Sequence, residues 1–185
     1  MAHSTVGRQQ LNLSLVSSDG GQTLGRQSMR VSSSILFVCA LASATSYGGQ
    51  LTTAVALEKL IKAYPKTSWS PTPVRIDIDC DGKPDYAFIA QTTKKVWVGV
   101  VRGQENAPVS MLSFGESPTS QDGLCYLPAK IEIESLDYDP TDAVGELPGF
   151  TRSRICTSFK LSGGECDSFH FFWNKNTNLL EWWRL

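Results

Sequence analysis

The densest chemistry in the chain lies at Asp77-Ile78-Asp79-Cys80-Asp81-Gly82-Lys83-Pro84-Asp85, where carboxylates fall at positions one, three, five and nine and a glycine at six. A hard dication such as calcium takes several oxygen ligands converging on one point, and glycine at the sixth position permits the sharp turn that brings alternate side chains inward. The spacing predicts a structural calcium site with Asp77, Asp79, Asp81 and Asp85 as side-chain ligands and Lys83 contributing its main-chain carbonyl. The competing expectation is a metal-free turn in which the Asp side chains bond their own backbone. An EF-hand is excluded, because its twelfth position needs a bidentate Glu. Phe88 stands there, and strand-like residues flank the loop.

The segment resembles the calcium loop of FG-GAP and VCBS-type β-propeller repeats, in which a D-x-D-x-D-G-x-x-D turn joins two strands. The resemblance covers residues 77–85 and their flanks. That family repeats the loop blade after blade, whereas it occurs once here. What the resemblance implies is the local structure, a cation held between two strands.

Other candidates are sparser. Asp137, Asp139 and Asp142 around Pro140 form a second acidic cluster, read as a solvated turn at a strand end in preference to further oxygen ligands or an acid–base pair. His170 lies in Phe169-His170-Phe171-Phe172-Trp173, where an aromatic strand makes it a structural residue. The chain has no G-x-S-x-G elbow, no H-E-x-x-H and no phosphate-binding glycine loop, so no catalytic residue is assigned and a non-catalytic protein is expected. An uncharacterised exported hydrolase, with two carboxylates brought together by the fold, is one alternative.

Export follows from Met29-Arg30, a basic start that leads into the apolar run Ile35-Leu36-Phe37-Val38-Cys39-Ala40-Leu41 and then into Ala42-Ser43-Ala44. That order matches a secretory signal over residues 29–44 cut after Ala44, and its apolar part is too short for a membrane anchor. Val38 before Cys39 is not the small residue that a lipoprotein signal needs. Residues 1–28 are polar and rich in Ser, Gln and Gly, without apolar periodicity, and read as a non-native or extended leader.

Residues 45–185, 141 in number, then form one mature β-rich domain, periplasmic or secreted and free of the membrane once the signal is removed. Its 14 Lys and Arg against 17 Asp and Glu leave a net charge of −3 with no basic stripe, which excludes nucleic acid as a partner. Cys80, Cys125, Cys156 and Cys166 remain, an even set in an oxidising compartment, and predict two disulfides. Of three possible pairings, Cys80 with Cys125 and Cys156 with Cys166 is preferred, because the second pair closes a short loop. Zinc is disfavoured by the absence of a C-x-x-C pair and by the single mature histidine.

The elements that must position these groups are mostly strands. Ala54, Leu57, Leu60, Ile61 and Tyr64 recur at helical spacing and predict one N-terminal helix over residues 53–64, ended by Pro65. Val74, Ile76 and Ile78 alternate with polar residues as in a strand, and further strands are expected over 86–91, 96–102, 109–114, 130–138, 154–161, 168–173 and 179–185. The predicted fold is a single antiparallel β domain, either a sandwich or a propeller-like meander.

Two surfaces suggest binding. Trp69, Trp97, Trp173, Trp182 and Trp183 could stack on a sugar or a protein, though most of the five are expected in the core; Trp182 and Trp183 are adjacent, so a strand sends them to opposite faces and leaves one as a candidate platform. The polar connection 115–125, with Ser117, Thr119, Ser120, Gln121 and Asp122 near its tip, ends on Cys125 and would be braced by a disulfide. A preorganised loop loses little entropy when it plugs a partner's cleft. Size, signal, cysteine content and lack of catalytic motifs look like those of the small exported immunity proteins paired with type VI secretion effectors. That resemblance implies an inhibitor whose partner is an exported cell-wall-degrading hydrolase. The alternative is a calcium-dependent carbohydrate-binding or adhesion module.

Overall fold

Helix α1 (Thr53–Ala63) starts where Thr52 Oγ1 accepts a hydrogen bond from Val55 N at 3.4 Å, the side-chain cap expected of a threonine at this position. Pro65 follows its C-cap, Tyr64. The buried side of the helix runs through Ala56 and Leu60, with Leu57 and Tyr64 packed beside them, while Ala54 and Ile61 face outward. The face is rotated from the one expected, with Ala56 buried in place of Ala54 and Ile61, and Leu60 packs on Gly99, where a Cβ would come within 2.7 Å of the leucine methyl.

The computed structural model describes residues 5–7 and 51–185. The expected signal at 29–44, its cleavage site and Cys39 lie outside the described residues, as does the expected leader apart from strand β1 (Thr5–Gly7), which pairs antiparallel with the C-terminal strand.

Two five-stranded sheets follow from the alternation in the sequence. The second sheet has the order β2 (Val74–Ile76), β3 (Asp85–Gln91), β4 (Lys95–Val101), β5 (Ser110–Glu116) and β6 (Gly123–Leu124). The first is β1, β10 (Leu179–Arg184), β9 (Phe169–Asn174), β8 (Thr157–Ser162) and β7 (Lys130–Ser135). Pairing is antiparallel except for β5 with β6, where the chain returns from a loop to lie parallel to the strand it left. The two sheets share one core, with Val96, Val98, Val100, Leu112 and Phe114 from one and Phe159, Leu161, Phe169, Phe171 and Trp182 from the other. The Phe114 and Phe169 rings sit 4.5 Å apart across it. The fold is therefore a sandwich, and of the two predicted forms the propeller-like meander is set aside.

Period-2 alternation also accounts for what covers the outer faces. Tyr86, Phe88 and Ala90 point from the second sheet to α1 and Trp69. Phe172 and Trp183 point out from the first sheet and are covered by Tyr138, Val144, Leu147 and Phe150 from the segment that carries the short helix α2 (Thr141–Val144). Fully buried phenylalanines such as Phe88, Phe159, Phe169 and Phe171 contribute roughly 1.5–3 kcal/mol apiece.

The cysteines pair as Cys80–Cys156 and Cys125–Cys166, with Cα atoms 5.4 and 5.8 Å apart. This corrects the pairing preferred from the sequence, Cys80 with Cys125 and Cys156 with Cys166. Asp77 forms an isolated bridge to Thr157, which carries the 77–85 loop to the start of β8 and so to Cys156. Tyr126 N donates to Gly163 O at 3.3 Å, which brings Cys125 to the β8–β9 turn that holds Cys166. Proximity in the chain was a poor guide because each bridge ties one sheet to the other.

Candidate functional site

The aspartate loop joins β2 to β3 at one end of the sandwich. Its turn is built from its own side chains: Asp77 accepts from Asp81 N and Gly82 N, each at 3.1 Å, and Asp81 Oδ1 accepts from Lys83 N at 2.8 Å. Cys80 (φ 56°) and Gly82 (φ 79°) take the left-handed backbone that this tight turn requires. Asp85, at the start of β3, accepts from Ile78 N at 2.9 Å and from Gly103 N at 2.7 Å, which locks the loop to the end of β4.

Asp77, Asp79 and Asp85 each place a carboxylate oxygen within 4.8 Å of the other two. Asp81 and Lys83, also expected as ligands, lie on the exposed outer turn, and the Asp81 carboxylate is not part of this cluster. Asp79 is 3% exposed and Asp85 fully buried. Asp79 Oδ2 accepts from Arg102 Nη1 at 3.2 Å and from Gln104 Nε2 at 3.1 Å, whereas Asp79 Oδ1 is buried with no hydrogen-bond partner. The Arg102 guanidinium stacks 4.0 Å above the Trp173 ring, and Lys175 Nζ donates to the Asp79 main-chain carbonyl.

Arg102 pairs with only one of these three carboxylates. Burial pushes the Asp85 carboxyl up to about 7, and repulsion from Asp79 and Asp77 adds to the shift against the hydrogen bonds from Gly103 and Ile78. Burial also raises Asp77. A buried acceptor without a donor costs about 1–3 kcal/mol, more if charged, so a cation that accepts oxygen ligands would relieve both penalties at once. The donor set is all oxygen, and the nearby Cys80 is in a disulfide, so the residues fit a hard cation.

Arg102, Gln104, Gly103 and Lys175 were not legible as parts of this site. They arrive from beyond β4 and from the β9–β10 turn, at sequence separations of up to 96 residues, with no local motif to announce them.

The second predicted site, the 115–125 loop, is fixed at both ends. Ser117 N donates to Leu124 O at 2.9 Å, Ser120 N to Ser117 O at 3.1 Å, and Gly123 N to Ser120 O at 3.0 Å. Arg184, stacked 4.8 Å over Phe169, donates to Gly123 O, and Cys125 is held by Cys166. A Cβ at Gly123 would overlap the Ser117 carbonyl, so the loop closes only with glycine there. Thr119, Ser120, Gln121 and Asp122 are exposed at its tip and Ser117 is half-buried at its base. Tyr126, 64% exposed, follows directly.

The remaining candidates do not converge on one another. Trp183 was a candidate platform, yet it is 6% exposed: its Nε1 donates to Tyr138 Oη at 3.3 Å and its ring stacks on His170 at 4.2 Å. Trp182 is buried on the opposite face, so neither adjacent tryptophan is an exposed platform, because the 136–153 segment covers the outer face. His170 Nδ1 lies 2.8 Å from Glu134 Oε1 across β8. Of the acids around Pro140, Asp137 pairs with Arg152 at 2.9 Å and Arg154 at 3.5 Å, Asp139 accepts from Thr141 N at 3.0 Å, and Asp142 is exposed in the first turn of α2.

Compared with family models, curated proteins and solved structures, the chain matches none. Among the described residues no helix is long and apolar enough to cross a membrane.

Proposed function

We propose that this is an exported, non-catalytic binding protein whose sandwich is locked at one end by a structural calcium ion. The observation that carries the calcium reading is the buried, unpartnered Oδ1 of Asp79 beside Asp77 and Asp85. Calcium suits the site better than magnesium, which keeps most of its water and uses one or two carboxylates, and better than zinc, which favours nitrogen and sulfur. Extracellular modules bind calcium with dissociation constants of about 10⁻⁴–10⁻³ M, which sets the range to search. Isothermal titration of the chelator-treated protein with calcium chloride tests the reading, and absence of saturable heat removes it.

The binding surface is the braced loop, whose partner is an exported cell-wall-degrading enzyme that the protein inhibits in the manner of an immunity protein. What supports this is the contrast between the loop's exposed tip, 118–122, and its fixed base at Ser117, Gly123 and Cys125. Such a loop enters a cleft with little ordering cost. The test is peptidoglycan turnover by purified periplasmic hydrolases with and without the protein. Inhibition that disappears when Thr119, Ser120, Gln121 and Asp122 are replaced together by Gly and Ser supports the reading, and turnover unaffected by the unaltered protein across the panel rejects it.

A further inference from the structure

We propose that the open pocket above the outer face of the first sheet, lined by residues between Tyr138 and Arg152, is a saccharide-binding site. Its volume is about 400 Å³, within the range of small-ligand sites. Neither the calcium reading nor the inhibitor reading uses it, and it shares no residue with the aspartate loop or with the 115–125 loop.

The apolar part of the lining comes from Tyr138 and Phe150, whose rings lie 5.5 Å apart, and from Leu147. The polar part comes from Asp139, Thr141, Glu146 and Arg152, all exposed. A pyranose has the matching layout, with C–H groups on its ring faces and hydroxyls around its edge. Aromatic surface takes the former, and carboxylate and guanidinium groups take the latter through charge-assisted hydrogen bonds. With two carboxylates and one guanidinium the lining offers both acceptors and donors, as hydroxyls require, and no surplus of cations that would select phosphate or sulfate.

The pocket is also held in shape. Pro140 and Pro148 restrict the backbone on either side of α2. Gly149, at φ 84°, sits against the Asn174 side chain, whose Nδ2 donates to Pro148 O at 2.9 Å and to Glu181 Oε2 at 2.7 Å. Lys175 N donates to Gly149 O at 3.0 Å and Ser153 N to Leu136 O at 3.1 Å, so both ends of the segment are pinned to neighbouring structure. Asp139 is kept in place by Thr141 and Arg152 by Asp137. A rigid site of this kind loses little conformational entropy when a ligand enters.

The test uses the protein exported from the full chain, titrated with the β1,4-linked trimers of N-acetylglucosamine and of glucose and with mannotriose, followed by calorimetry and by tryptophan emission, since Trp183 is bonded to Tyr138 beneath the pocket. The expected result is saturable binding of at least one trimer that Glu146→Gln and Arg152→Ala each weaken roughly tenfold or more at unchanged melting temperature. Should either variant fail to fold, ligand-induced shifts of the Arg152 side-chain and Thr141 amide resonances in the unaltered protein serve instead. No saturable binding of any trimer, or binding that both variants leave intact and that shifts neither resonance, overturns the proposal.

Discussion

Asp79 and Arg102 meet at one end of the sandwich with only half of the carboxylate engaged: Oδ2 takes the guanidinium at 3.2 Å and Oδ1 is buried without a partner. The two residues behave differently on removal. Asp79→Ala deletes a cation ligand and strands a guanidinium that is 11% exposed, so it abolishes calcium stabilisation and costs about 3 kcal/mol in calcium-free buffer. Arg102→Met removes one of the two donors to Asp79 Oδ2, leaving Gln104 Nε2, and keeps Oδ1 open, so calcium binding stays intact or tightens. Urea unfolding with calcium and with chelator separates the two outcomes.

The pH dependence of the calcium-free protein follows from Asp85. Its folded pKa of about 7 lies above the ordinary 3.8, so between those values the fold holds a proton that the unfolded chain has released. The stabilising contribution is therefore complete below about pH 4 and is lost as pH rises through 7, with a magnitude on the order of 4 kcal/mol. Calcium takes the place of that proton, so its affinity falls as pH drops below 7. Melting temperatures from pH 4 to 8, with chelator and with calcium, should diverge toward high pH and converge toward low pH.

Much of the fold was legible because both faces of most strands carry a clear pattern. Val96, Val98 and Val100 alternate with Trp97, Gly99 and Val101, and each set goes to its own cluster. Helix α1, the 77–85 turn and the strands were recognisable within a residue or two, except that β7 stops at Ser135 and β8 begins at Thr157. The short strands β1 and β6 and the four-residue helix α2 were not recognisable, since two to four residues give no periodicity. Within the candidate metal site, Asp77, Asp79 and Asp85 followed from spacing. The outward turn of Asp81 and the arrival of Arg102 and Lys175 depend on how distant elements pack, which no local pattern encodes.

The two disulfides should have separable effects. They join residues 76 and 41 apart in sequence, and loop-closure entropy gives each about 4 kcal/mol. Replacing Cys80 and Cys156 by Ser loosens the aspartate loop and weakens calcium binding. Replacing Cys125 and Cys166 leaves calcium binding unchanged and weakens hydrolase inhibition. Peptide mapping of the unreduced protein should recover Cys80–Cys156 and Cys125–Cys166, and calorimetry with turnover assays reads the rest.

Gly123→Ala should impair the loop without touching the core. The added methyl overlaps the Ser117 carbonyl, which must shift and so weakens the bond from Ser117 N to Leu124 O, at a cost of about 1–3 kcal/mol. Faster amide exchange confined to residues 116–124, with calcium affinity unchanged, is the expected signature.

The most direct test of the central claim is calorimetric titration of calcium into the chelator-treated protein at pH 7.5, alongside Asp79→Ala. One ion bound per chain in the unaltered protein and none in the variant is the predicted result. Equal heats in the two, or no binding in either, would contradict the assignment of the Asp77, Asp79 and Asp85 cluster as a calcium site.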